Sequence, residues 1–505
     1  MDLERKIKME MLKDYLASKP LAELSNEMVA FTANLDMVAK KNPQIAKSIL
    51  QELIDQRSHL KLIASENYSS LNAQSAMGNL LTDKYAEGFV ENRFYAGCDN
   101  VDNIERMACD EAKKLFGAEH AYVQPHSGAD ANLVAFLAVL RKKVQTPMMD
   151  ELGEKNILAI SKEEWDKIRA AMGNQRLLGM GLYSGGHLTH GYRHNVSAQL
   201  FEVFDYNVNE ETGLLDYDEL RKMLHEIKPL IFLLGFSAYP RSIDFALLKQ
   251  YADEVGAVMV VDMAHFAGLV AGGAITGKFN PVEYADLVTT TTHKTLRGPR
   301  GGMVLCKQEY AEYVDKGCPH VLGGPLPHVV AAKAIAFQEA NSPEYKEYAK
   351  KVVKNANTLA TALIEKGVHV QTGGTENHIV LVNVEKLGLT GRQAELALRE
   401  CGLTLNRNTL PGDKFGPWYT SGLRFGTPAT TSLGMGEKEM IEIADIIATT
   451  LKGITAALDK KGNKSKAKYI MDENIKAATI KRIHALLDNF VLYPEIDVEF
   501  LKKYF

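Results

Sequence analysis

The sequence predicts an α/β fold: a large, mostly parallel sheet covered by helices, followed by a smaller α+β C-terminal domain. Three observations predict it. Between about residues 61 and 344, short apolar, β-branched runs alternate with amphipathic helical patterns, as in a doubly wound sheet. Two of those runs, 258–261 and 287–292, lead straight into a functional side chain and then into a turn. From about residue 345 to 505 the pattern shifts to long helices with a few strands, such as Ile379-Val380-Leu381-Val382.

Taken in order, residues 1–60 read as a helical N-terminal arm, broken near Pro20 and at Asn42-Pro43. The first residues, Met1-Asp2-Leu3-Glu4-Arg5-Lys6, are charged and lack an apolar centre, so no signal peptide is expected. A helix is predicted over 102–116, with Ile104, Met107, Ala108, Cys109 and Leu115 mainly on one face and Gly117 as its stop. Ala121-Tyr122-Val123 reads as a strand, 124–128 as a turn and 129–140 as an apolar helix. The segment 142–175 carries its own helix: Ser161 and Glu164 make a capping box, and Trp165, Ile168 and Met172 form one face. It precedes a strand at 177–181, so it is expected at the N-terminal edge of the sheet, opposite the edge that binds ligands, with a structural or assembly role. Lys460 to Lys466 reads as a charged, mobile loop.

Composition narrows the function. The chain has 505 residues and a net charge of −4 from 59 basic and 63 acidic residues, which offers no basic footprint for nucleic acid. No apolar run approaches membrane-spanning length. Cys98, Cys109, Cys306, Cys318 and Cys401 are odd in number and widely spaced, which predicts free thiols in a reducing, cytoplasmic setting. Gly272 to Lys278 has P-loop-like spacing, but Phe279 stands where a magnesium-binding hydroxyl is needed. His187 and His190 have no third ligand at metal-binding spacing, so no metal is expected.

The chemistry lies at the strand ends. Lys294 closes the run 287–292 after His293 and precedes a loop with Gly298, Pro299, Gly301 and Gly302. An amine held there, away from water, has a lowered pKa, and only the neutral amine attacks a carbonyl. Taken alone, a lysine after a strand is usually a solvated loop residue. Asp262 ends the neighbouring run 258–261, where a carboxylate can keep a pyridine nitrogen protonated; alone it could be a helix cap. Ser127-Gly128 opens the apolar helix and offers a hydroxyl and free N–H groups to a dianion. A lysine, an acid and an anion cradle are the three needs of pyridoxal 5'-phosphate.

With these in view, a resemblance is plain. The runs 62–68 (Leu-Ile-Ala-Ser-Glu-Asn-Tyr), 84–88, 124–128, 185–191, 235–239, 262–265, 289–302 and 420–429 resemble, in order, the motifs of serine hydroxymethyltransferases. The resemblance implies the aspartate-aminotransferase fold (fold type I of pyridoxal-phosphate enzymes). It implies one-carbon transfer between serine and tetrahydrofolate through an external aldimine, with the cofactor as a Schiff base on Lys294. By the same resemblance, Ser127, Gly128 and Ala129 cradle the phosphate and His187 stacks on the pyridine ring, supported by His190. Asp262 meets the ring nitrogen, and Ser237, His265, Thr291 and Arg300 lie around the cofactor. Ser65 and Arg424 hold the amino acid, Arg424 by its carboxylate. Tyr85, Glu87, Tyr95 and Gly324 match groups supplied by a neighbouring subunit, so a homodimer, or a tetramer built on it, is implied. Glu87 handles a proton between amino acid and folate. Leu182, Gly186, Leu188, Asn408 and Phe94 lie where the family holds folate.

The sequence departs from the family pattern in places. Phe94 replaces a tyrosine that stacks on folate, Ala129 replaces a serine, and the loop 318–325 is less glycine-rich than usual. An extra segment of about 30 residues separates Arg141 from Arg176. Two alternatives stand beside the main reading. A folate-independent aldolase of the same fold is opposed by the Glu87 block and Asn406-Arg407-Asn408. A non-catalytic scaffold is opposed by the joint presence of Lys294, Asp262, His187 and Arg424. Alanine racemisation is a conceivable side activity.

Overall fold

The computed structural model describes residues 10–458 and 461–505. Met1 to Lys6 therefore lie outside the described residues, as does Lys460.

A seven-stranded sheet organises the chain. Its order is His120–Tyr122, Gly302–Cys306, Leu287–Thr291, Val258–Asp262, Ile231–Gly235, Arg176–Met180, Glu202–Tyr206. Neighbours from Leu287–Thr291 to Glu202–Tyr206 pair in parallel, whereas Gly302–Cys306 runs antiparallel to both of its neighbours. The inner strands are buried on both faces, which is why they read as unbroken apolar runs. Phe232, Leu234, Met259, Val261 and Val288 feed one core; Ile231, Leu233, Val258, Val260 and Leu287 feed the other. This two-residue alternation places successive side chains on opposite faces, so each strand glues two helical layers together.

Helix Gly128–Leu140 covers the second of these faces. Helix Asp99–Phe116 packs on the first, beside Pro327–Ala340. It starts three residues earlier than the sequence pattern indicates and stops at Gly117, whose φ of 69° is readily adopted only by glycine. Its buried face consists of Val101, Glu105, Ala108, Ala112 and Phe116, while Met107 is exposed. Of the expected face, Ala108 is buried and Ile104, Cys109 and Leu115 pack against the core, and Met107 departs from it. Glu105 joins the buried face because Arg93 pairs with it, which helical periodicity does not reveal.

A second, antiparallel sheet follows, in the order His369–Val370, Ile379–Asn383, Gly422–Gly426, Asn406–Asn408. It has its own core with helices Pro343–Glu365, Gly391–Glu400 and Glu437–Lys452. The expected charged loop at 460–466 is corrected in part: Lys464, Ser465 and Lys466 begin the strand Lys464–Met471, paired with Ile454–Leu458. Alternate residues of that strand are exposed, so its charged residues point to solvent while Gln393 takes the carbonyls of Ser465 and Lys468 at 2.7 Å.

The N-terminal arm forms helices Met11–Ser18, Asn26–Lys41 and Pro43–Ser58, with Ser25 and Asn42 as caps. Met11, Tyr15, Met28, Leu35 and Leu50 bury against Leu492, Ile496, Val498 and Leu501 from the other end of the chain. Helix Lys162–Gly173 has the expected capping box, and Ile168 is buried, but Trp165 is 37 % exposed. It leads into Arg176–Met180, a strand whose C-terminal end turns to the site. Among the described residues no helix is long and apolar enough to cross a membrane.

Candidate active site

The parallel strands Val258–Asp262 and Leu287–Thr291 end side by side, Asp262 in register with Thr289. A cavity of about 510 Å³ opens at these ends. Ser65, Ser127, Gly128, Ala129, His187, Ser237, Asp262, His265, Thr291, Lys294, Arg300 and Arg424 all line it, joined by Glu66, Phe236, Ala264 and His293.

Lys294 follows the strand with φ at 61°, a left-handed backbone that is rare for a side-chain-bearing residue. The strain is held in place from outside: Asn67 donates to the Lys294 carbonyl at 2.9 Å, and Gly298 N–H bonds back to Thr292. Burial lowers the Lys294 amine to about 8, with Asp262 opposing this and Arg424 and Arg300 reinforcing it. Desolvation therefore outweighs the nearby carboxylate, and a usable fraction of neutral amine exists near neutrality.

Asp262 shows the opposite balance. Burial favours its protonated form, but the hydrogen bond from His190 and the charges of His190 and Lys294 hold the carboxyl well below its usual range. Asn132 donates to it at 2.9 Å and the Ala264 amide at 3.0 Å, with His190 at 3.4 Å. His187 is pushed down to about 4, first by burial, and is neutral at physiological pH. Its Nδ1 meets Thr189 Oγ1 at 2.8 Å, and Asn132 donates to the same hydroxyl. His265 stacks on His378 with ring centroids 5.6 Å apart, and burial holds both well below the usual histidine range.

The anion cradle is the start of helix Gly128–Leu140. Ser127 caps it, accepting from Asp130 N–H at 3.1 Å and donating to the Asp130 carboxylate at 2.9 Å. The Gly128 and Ala129 amides have no intrahelical acceptor, as in the first turn of any helix. A Cβ at Gly128 would come within 2.8 Å of Thr291 Cγ2, so only glycine leaves this floor open.

Arg424 reaches the cavity from the second sheet. Its Nε donates to Asn406 Oδ1 at 2.9 Å and its Nη1 to the Ser237 carbonyl at 2.5 Å. Burial alone lowers its pKa, to about 10. A half-buried guanidinium that leans on neutral oxygens is an incomplete arrangement, and an incoming carboxylate completes it.

Other predicted residues stand apart from this cavity. Tyr85, Glu87, Phe94, Tyr95 and Gly324 gather elsewhere on the chain. The rings of Tyr85 and Tyr95 are 5.0 Å apart, a Cβ on Gly324 would touch the Tyr85 ring at 3.4 Å, and Glu87 raises the Tyr85 pKa. Tyr85, Phe94 and Tyr95 are 53 %, 68 % and 47 % exposed, so this group faces outward. Leu182, Gly186, Leu188 and Asn408 also do not line the cavity. Leu182 and Leu188 sit in short 3₁₀ turns after Arg176–Met180, and Asn408 ends the strand beside Gly422–Gly426.

Sequence reasoning missed several supporting residues. Asn132 is a buried polar residue in a helix that is apolar after it, which was a readable signal. Arg93 donates to the carbonyls of Ala86 and Gly88, both at 2.9 Å, and pairs with Asp102 and Glu105 at 2.8 Å, thereby fixing the backbone on each side of Glu87. Lys333 is buried and donates to Val123, Pro125 and Gly302 carbonyls at 2.6 to 3.0 Å, tying the cradle turn to the reversed strand. Lys278, from the rejected P-loop pattern, pairs with Asp244 at 2.9 Å.

A lysine after one parallel strand, an acid at the tip of the next and a helix N-terminus across from them define the aspartate-aminotransferase class of pyridoxal-phosphate enzymes. A family model described as serine hydroxymethyltransferase matches residues 38–154 and 167–447, and the chain belongs to that family. The break in the match, 155–166, falls inside the 142–175 segment and is shorter than it. The chain is 56 % identical over 494 residues to the serine hydroxymethyltransferase of Treponema pallidum, covering 98 % of this chain and 86 % of that protein. It is 51 % identical over 472 residues to that of Salinispora tropica, covering 94 % and 99 %. It is 52 % identical over 474 residues to that of Chlamydia trachomatis serovar L2, covering 94 % and 95 %.

Proposed function

We propose that this chain reversibly transfers a hydroxymethyl group between serine and tetrahydrofolate, giving glycine and 5,10-methylenetetrahydrofolate, with pyridoxal 5'-phosphate carried on Lys294. One observation carries the reading: a single cavity holds an amine lowered to about 8, an ionised buried carboxylate and a half-buried arginine that leans on neutral oxygens.

The residues fit the cofactor. Ser127 and the amides of Gly128 and Ala129 would hold its phosphate, Asp262 its ring nitrogen, and His187, neutral, would offer a ring face. When bound, pyridoxal phosphate supplies an electron sink that lets a bond at the Cα of an amino acid break. The rest of the work falls to the chain. Arg424 and Ser65 fix the amino-acid carboxylate and so choose which Cα bond stands ready to break. Lys294 would hold the cofactor through its Nζ. Asn132, His190 and the Ala264 amide keep Asp262 ionised.

Glu87 handles the proton that passes between serine hydroxyl and folate, and it does so from a neighbouring subunit, together with Tyr85, Tyr95 and Gly324. The outward exposure of this group on its own chain supports a homodimer with shared sites. Leu182, Gly186, Leu188, Asn408 and Phe94 are the proposed folate contacts. The division into an N-terminal arm, a large domain to about residue 344 and a smaller C-terminal domain belongs to the same reading. So does a cytoplasmic setting, supported by five free cysteine thiols.

The test is Glu87→Gln, which keeps the shape and removes the proton transfer. Folate-dependent transfer is expected to fall by roughly 10² to 10⁴, the range of a lost general acid–base group, while serine still perturbs the cofactor absorbance. Equal folate-dependent rates in variant and wild type would remove Glu87 from this role. Serine cleavage that proceeds at full rate without tetrahydrofolate would instead identify an aldolase. Mixing Glu87→Gln chains with Lys294→Ala chains is expected to restore activity, because one intact site can then assemble from two defective chains. No restoration would count against shared sites.

A further inference from the structure

The two ends of the chain meet behind the substrate side of the cavity. Ser65 lines the cavity, and Asn67, two residues on, donates to the Lys294 carbonyl at 2.9 Å and to Tyr348 Oη at 2.7 Å, while Ser432 donates to its Oδ1. The segment therefore carries a substrate contact and also braces the strained lysine turn. At its far end Arg297 Nε donates to the Tyr68 carbonyl at 3.4 Å and Gln74 Nε2 to Ser69 Oγ at 3.2 Å, and Tyr493 makes the shortest of these bonds. Tyr493 Oη donates to the Ser69 carbonyl at 2.7 Å and accepts from Gln74 Nε2 at 2.8 Å, and its ring meets the buried Tyr68 edge-on.

Tyr493 is itself held with effort. Its φ is 47°, a left-handed backbone that a tyrosine adopts only under constraint. The constraint comes from Arg57 of the N-terminal arm, which donates to the carbonyls of Leu492, Tyr493 and Ile496 at 2.9, 2.6 and 2.9 Å. Leu492 and Ile496 bury in the arm's core on either side. Strain is retained where surrounding contacts over-determine it, and here they aim one hydroxyl at one carbonyl. Tyr493 also lies beyond residue 447, where the family match ends.

We propose that Tyr493 is a positioning residue for substrate binding, its hydroxyl setting the segment that carries Ser65 and Asn67. The inference rests on the reading of Ser65 as a substrate contact. Tyr493→Phe removes the hydroxyl and keeps the ring. In the full-length holoenzyme it is expected to raise the KM for serine about threefold to tenfold, as one net hydrogen bond allows, with kcat and cofactor content at wild-type values. A merely structural tyrosine would lower the melting temperature or the cofactor content and leave the KM of the folded enzyme alone.

Ser65→Ala and the double variant complete the test. If Tyr493 acts through this segment, its effect on KM disappears in the Ser65→Ala background. An unchanged KM in Tyr493→Phe, or strictly additive effects, overturns the proposal. An unchanged KM in Ser65→Ala alone overturns the site reading instead. Should Tyr493→Phe fail to fold, Arg57→Gln loosens the carbonyl bonds that hold the Tyr493 backbone and leaves the side-chain bonds of Asn67, Ser69 and Gln74 in place, and the same rise or its absence decides.

Discussion

Lys294→Ala is expected to bind pyridoxal phosphate and to lose turnover by roughly 10² to 10⁴ or more, the scale of a missing catalytic group. Binding survives because Ser127, Gly128, Ala129 and Asp262 do not depend on the amine. The bond to the protein does not survive, so borohydride should no longer fix the cofactor to the chain, and dialysis should remove it. Multiple turnovers at a near wild-type rate would exclude Lys294 as the carrier. The wild-type amine gives a second, independent readout. Its pKa is lowered to about 8, first by burial. Below that value it is mostly protonated, with about one amine in ten neutral at pH 7, and only the neutral form attacks an aldehyde. Cofactor capture by apoenzyme should thus accelerate with rising pH and level off above about 8. A profile still climbing at pH 10 would mean that the cavity does not desolvate the lysine.

The cavity was legible in the sequence for a physical reason. Groups that meet at the ends of parallel strands must come from short runs flanked by turns, so Lys294 and Asp262 advertised themselves by what preceded them. Ser127-Gly128 did the same at a helix start. Resemblance then supplied Arg424, which no periodicity singles out. The supports were less visible. Arg93 looks like any arginine in a polar loop, and only the fold brings Asp102 and Glu105 to it across helix Asp99–Phe116. That pairing buries Glu105, a charged residue that periodicity leaves out of the buried face. Lys333 sits in an apolar stretch of its helix, and its three carbonyl partners come from two separate stretches of chain, Val123 and Pro125 from one and Gly302 from the other. Lys464, Ser465 and Lys466 were read as part of a charged loop because charge dominates there, although they begin the strand Lys464–Met471, whose alternate residues turn inward toward helix Gly391–Glu400. Tyr493 depends on contacts more than 400 residues away in sequence, and no local pattern encodes such a contact.

Arg424→Ala is expected to keep the cofactor and lose serine. Truncating one partner of a buried, hydrogen-bonded charge pair costs about 2–5 kcal/mol, so the KM for serine should rise at least about 30-fold. The lower end of that range applies here, since the guanidinium is partly open to the cavity and water can screen the stranded substrate carboxylate. Loss of the side chain also frees Asn406 Oδ1 and the Ser237 carbonyl, both of which it now satisfies. These oxygens face an incoming carboxylate with like partial charge, which adds to the cost. Arg424→Lys separates the two contributions. An ammonium restores the charge but cannot serve Asn406, Ser237 and a bidentate carboxylate at once, because it lacks the planar fork. Lysine should therefore recover only part of the lost affinity. Full recovery would reduce Arg424 to a point charge, and an unchanged serine KM in Arg424→Ala would remove it from the site.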